Sequence, residues 1–217
     1  MSQFVTKFIF IAFLLISSNG FAQKAKKTVP KKNVIIGSYE NATAVLVPLN
    51  KGSQLVLFVK NETSTDTLVL KKSENINFSP ANFNCKQVIV SGVTLFHVSW
   101  EELILVDTKL KKESTLFTEN QLWNVISKKQ VFSNVHKKYH LKETQFLDKN
   151  KTASHDVEKK STEGLEFFLL PNGNVSLYSK SSQLLYEYVS ASDSFEFKKT
   201  PEPAASKPQP KAKPKRK

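Results

Sequence analysis

Cysteine, glycine and histidine are all scarce in this 217-residue sequence, and each shortage removes a class of chemistry. With Cys85 as the only cysteine, no internal disulfide can form, although small exported domains commonly rely on such staples. No catalytic signature surrounds Asn84-Cys85-Lys86-Gln87, so the thiol reads as a small buried or half-buried side chain beside a strand. After residue 22 the glycines are Gly37, Gly52, Gly92, Gly164 and Gly173, and none falls in a glycine-rich loop. A phosphate cradle or dinucleotide fingerprint is therefore excluded, and so is a G-x-S-x-G nucleophile elbow. Gly37-Ser38 and Ser91-Gly92 read as turns.

Of the four histidines, His136 and His140 have a spacing that would put two imidazoles on one helix face. Neither a third nor a fourth metal ligand follows at a telling distance, so they read as exposed polar residues of a basic segment. His97, between Phe96 and Val98, reads as a core or edge histidine of a strand. Glu101 and Glu102 are adjacent, and neighbours on a strand point to opposite faces, so they cannot form a dyad. They read as solvated turn residues. Asp66, Asp107, Glu166 and Glu187 could meet only through the fold. No catalytic residue, metal site or cofactor is expected from the sequence.

Long apolar runs are also missing, apart from one at the start. Phe8–Ile16 follows a short segment carrying Lys7 and precedes Ser17-Ser18-Asn19 and Gly20-Phe21-Ala22. That layout is expected of a secretory signal peptide spanning residues 1–22, since the run is too short to cross a bilayer. The mature chain is expected to be exported to the periplasm, the outer surface or the medium, without a transmembrane segment.

Charge is abundant and unevenly placed. Of the net +13, residues 1–32 carry six cations and no acid, and residues 200–217 carry six cations against Glu202; subtraction leaves 33–199 near +2. The basic segment 23–32 and the Pro/Lys-rich tail 200–217 have too few large apolar residues to offset the entropy of ordering, so both are expected to be disordered. Prolines bias the tail toward an extended form. Lys207, Lys211, Lys213, Lys215, Arg216 and Lys217 are the candidate contacts to an anionic surface or polymer. Such attraction is non-specific and fades with salt, for nucleic acid as for any other polyanion.

Residues 33–199 read as one β-rich domain, with a sub-boundary in a loop over 148–164. Runs of β-branched and aromatic residues recur between polar turns. Strands are expected near 33–36, 44–47, 54–59, 67–70, 75–78, 87–90, 93–100, 103–107 and 114–117. A hairpin through Asn172-Gly173 joins Leu165–Leu170 to Val175–Tyr178, and the meander continues through 184–189 and 195–198. Residues 120–132 fit a short helix, with a strand through Trp123–Ile126 as the alternative. Leu55–Phe58 and Leu103–Val106 are apolar at every position, so cover on both faces is expected there. Tyr178, Tyr186, Tyr188, Phe167 and Phe168 read as packing partners rather than a ligand face.

The fold class is therefore mainly β: an antiparallel meander or sandwich, or a small barrel, with a propeller-like stack as alternative and at most one or two short helices. The function expected is that of an exported non-enzymatic binding or scaffold protein of the bacterial cell envelope. Its partner would be an anionic envelope component or a protein. The alternatives are an extracytoplasmic hydrolase acting on an envelope polymer, and an accessory subunit of a secretion or surface-motility assembly. The last would show itself as an exposed apolar patch or an open sheet edge.

Overall fold

The computed structural model describes residues 32–75, 77–179 and 181–198. They form thirteen strands in three antiparallel sheets, with no closed barrel. No helix occurs among the described residues, so none crosses a membrane. The segments 1–22, 23–32 (except Lys32) and 200–217 lie outside the described residues, and the six cationic tail candidates with them.

The N-terminal sheet is the meander β1 (Val34–Tyr39), β2 (Ala42–Pro48), β3 (Ser53–Lys60) and β4 (Thr65–Ser73). The middle sheet holds β5 (Ala81–Val90), β6 (Val93–Asp107), β7 (Lys111–Asn124), β8 (Lys129–Phe146) and β9 (Ser154–Glu163). The C-terminal sheet holds β10 (Glu166–Leu169), β11 (Val175–Tyr178), β12 (Gln183–Val189) and β13 (Ser194–Lys198). Short turns do the joining. Ser91 and Gly92 both have positive φ (49° and 79°), the conformation a two-residue hairpin needs between the paired Val90 and Val93.

Alternation along β6 explains the layering. Phe96, Val98 and Trp100 face the N-terminal sheet and join Ala42, Ala44, Leu55, Leu57, Val59, Leu68 and Leu70 in one core. Leu95, with Leu122 of β7 and Val131 of β8, faces the other way and meets Val175, Leu177 and Tyr188 of the C-terminal sheet. The middle sheet is thus covered on both faces, which is why residues 95–98 are buried without a break. The β10–β11 turn closes against it so tightly that a Cβ on Gly173 (φ 85°) would stand 2.7 Å from Val90 Cγ2.

Several local expectations are corrected. Residues 120–132 form no helix: β7 runs to Asn124, a turn follows and β8 begins at Lys129. Leu122 and Trp123 are both buried because they serve opposite faces of a covered sheet. Residues 93–107 form one strand with no turn at Glu101-Glu102. The described residues from 74 to 80 form no strand. Residues 154–163 of the expected loop form β9, paired along its whole length with β8.

Candidate binding surface

Beyond Glu101 the middle sheet loses its cover. β5 begins only at Ala81, paired with Glu101, so among the described residues β6 is an open edge from Leu103 to Asp107. No residue from 103 to 118 or from 137 to 164 is buried. Leu103 and Leu105 are 54% and 65% exposed on one face, and Ile104 and Val106 are 41% and 42% exposed on the other. The expectation of cover for Leu103–Val106 is therefore wrong. This part of β6–β9 is a single layer with solvent on both faces.

Such a layer has no core of its own and is held by its ladder and by cross-strand pairs. Lys137 meets Glu163 at 3.0 Å, and Thr144 Oγ1 donates to Asp156 at 2.7 Å. His140 Nε2 and Lys160 Nζ each lie 2.7 Å from Glu158 Oε1. These hydrogen bonds, Lys160's first and His140's second, bring the Glu158 carboxyl down to about 2. At one end Thr108 closes the β6–β7 turn, its N–H donating to Lys111 O at 2.8 Å. Near the β8–β9 turn Asp148 accepts from the Thr152 hydroxyl and from the backbone N–H groups of Thr152 and Ala153.

Register assigns the two faces different chemistry. On the side continuous with the C-terminal sheet stand Leu103, Leu105 and Leu116, and beside them Lys112, Lys138 and Lys142. Among the described residues, these three lysines make no ion pair, whereas Lys111, Lys137 and Lys160 do. On the opposite side Ile104, Val106, Phe117, Tyr139 and Leu141 stand among charges that largely compensate one another. Apolar and cationic groups thus share one face, on which Asp107 stands across from Lys112 and Glu158 across from Lys142. The Leu103–Val106 run is visible in the sequence. The lysines were not singled out, because only strand register places them beside the leucines.

At the base of the layer lies the densest charged group. Lys71 Nζ donates to Glu102 Oε2 at 3.0 Å and to Glu119 Oε1, and it sits 5.4 Å from the Phe78 ring centroid. Burial draws the Lys71 ammonium's pKa down, but hydrogen bonds and charge from Glu119 and Glu102 outweigh it and the net shift is upward. Next to them Gln121 donates to Leu70 O at 3.2 Å and accepts from Trp123 Nε1 at 2.8 Å. Glu102, expected to be a solvated turn residue, is instead a buried partner of Lys71, while Glu101 accepts from Asn82.

His97 is buried, stacked on Phe167 with centroids 5.0 Å apart, and its Nε2 lies 3.2 Å from Asn120 Oδ1. Its neighbour is an amide, not an acid. Burial brings its pKa down to about 4, against a partial upward pull from Asn120. A depressed histidine contributes stability above its ordinary value of 6.5 and loses it as pH falls toward 4. Stability should therefore drop by on the order of 3 kcal/mol over that interval. Urea midpoints measured across it should be flatter for His97→Gln than for the unaltered chain.

The other sequence candidates stay apart. His136 is buried and His140 half-exposed, on the same face of β8, so the first corrects the expectation of two exposed histidines. Asp66 bonds Asn61 and Lys128, and Glu187 bonds Asn174 and Lys198. Glu166 lines a cavity with His136, Lys160 and Tyr178, and Asp107 ends β6 opposite Lys112. Among the described residues no cluster of three or more His, Cys, Asp or Glu side chains is placed to hold a metal. The Cys85 thiol is buried in β5 and pushed up to about 12 by that burial. Tyr188 is buried and Phe167 and Tyr186 pack beside it, while Tyr178 and Phe168 are exposed.

No family model, curated protein or solved structure matches this chain.

Proposed function

We propose that this chain is an exported, non-enzymatic binding or scaffold protein of a bacterial envelope, held against anionic lipid by its single-layer sheet and its cationic C-terminal segment. What carries the reading is the face on which Leu103, Leu105 and Leu116 lie beside Lys112, Lys138 and Lys142. Leucines can enter the apolar edge of a headgroup layer while the lysines meet its phosphates. The six cations from Lys207 to Lys217 add a second, salt-sensitive hold. The test is co-sedimentation with anionic and with neutral vesicles over a salt series. A basic residue close to an anionic surface contributes about 1 kcal/mol, so the triple replacement of Lys112, Lys138 and Lys142 by Gln should weaken binding on the order of 100-fold. Deleting 200–217 should steepen the loss further at low salt. Equal binding by the triple variant, or equal binding to neutral vesicles, overturns the reading.

A role as accessory subunit of a secretion or surface-motility assembly is favoured by a separate observation, the open apolar edge at Leu103–Asp107. The hydrolase alternative gains no support from His97, which faces an amide, or from Glu102 and Glu119, which share Lys71.

A further inference from the structure

We infer that two copies of this chain join edge to edge through β6, about a two-fold axis perpendicular to the sheet that passes midway between their two Leu105 residues. The inference does not depend on lipid binding. The two edges of the single layer differ. β9 carries Asp156, Glu158, Lys159 and Lys160, the charged side chains by which an edge is protected from further pairing. β6 carries Leu103, Ile104, Leu105 and Val106, with no charge until Asp107, and among the described residues no strand lies beside its outer backbone groups. An unprotected edge of this kind accepts another strand.

The occupant that fits is β6 of a second copy. A two-fold perpendicular to the sheet keeps like faces together, so only residues of like parity can stand opposite one another and the axis must fall between a residue and its own mate in the other copy. An axis on Ile104 would bring the partner copy's Asp107 to the slot beside Glu101, which Ala81 already fills. An axis on Leu105 places Asp107 opposite Leu103, Ile104 opposite Val106, and Leu105 opposite itself. It uses the whole free run and ends each strand just short of Ala81. Charge agrees with that register. The base of the edge carries Glu101, and this register sets it opposite Lys109 in the turn beyond the other copy's far end. Both faces stay open, and the Lys112–Lys138–Lys142 faces of the two copies come to lie on the same side.

Sedimentation of the full chain over a concentration series should show a dimer. Leu105→Lys, which adds an edge charge and touches no core, should give a folded monomer whose unfolding midpoint no longer depends on protein concentration. Under mild oxidation Leu105→Cys should form a covalent dimer, while Ile104→Cys and Leu103→Cys should not. Cys85 stays out of the exchange because its thiol is buried. A monomer at every concentration overturns the inference. So does a dimer that survives Leu105→Lys, or one that crosslinks through Ile104→Cys in preference to Leu105→Cys.

Discussion

Replacing Lys71 by methionine should cost about 3 kcal/mol of stability, because it leaves two buried carboxylates with no cation. Glu102 and Glu119 sit on neighbouring strands of the middle sheet and are both largely screened from water. Lys71 reaches them from β4, so this one side chain also ties the N-terminal sheet to the middle sheet. In the variant the carboxylates repel, and the least costly escape is to open the sheet interface or bind a proton. Urea unfolding should therefore show a lower midpoint at neutral pH and a partial recovery on acidification. The triple variant Lys71→Met, Glu102→Gln, Glu119→Gln should regain most of the loss, since no charge is then stranded. In the unaltered chain the upward shift of Lys71 means that its contribution is complete below the ordinary lysine range. It is lost as pH climbs through the raised value. If Lys71→Met unfolds at the same urea concentration as the parent, the ion pairs do not hold the interface.

Trp100→Ala should be at least as damaging, at about 4 kcal/mol. Trp100 is 1% exposed and is the largest of the fully buried side chains, in the core shared by the N-terminal and middle sheets. Truncation leaves a cavity between two sheets whose backbones are fixed by their ladders, so little collapse is available to fill it. Its indole N–H has no hydrogen-bond partner among the described residues. Trp100→Phe should for that reason cost clearly less than its lost volume implies, because it also removes an orphaned donor. Thermal unfolding of both variants beside Leu105→Lys gives the comparison. A Trp100→Ala midpoint as high as that of Leu105→Lys would mean that the two sheets are not packed on each other.

The difference between those two positions is also the difference between what could and could not be read from the sequence. The all-β character, the Ser91-Gly92 turn and the Asn172-Gly173 hairpin were legible because turn chemistry and β-branched runs act locally. Cover cannot be read that way. Leu103–Val106 is more uniformly apolar than Leu95–Val98, which His97 interrupts, yet it is the first run that has solvent on both sides and the second that lies between two sheets. β9 was invisible for the complementary reason. A strand in an uncovered layer has no core face, so Ser154–Glu163 shows no apolar alternation and is a strand only through its bonds to β8. Glu102 was misread because its neutralising cation, Lys71, lies thirty-one positions away. Lys112, Lys138 and Lys142 share a face only through the register of β7 with β8.

The order of the strands has a consequence for how the chain acquires its fold. In each sheet every strand bonds only to the strand before it and the strand after it, without a crossover or a parallel pair. The ladder can thus be assembled as a succession of hairpins, each closing a short loop, and the large entropic delay of most all-β proteins is confined to the stacking of finished sheets. With a single cysteine there is also no oxidation step to await. A chain with this wiring can emerge unfolded from a narrow channel and rebuild itself from either end, without an oxidising enzyme.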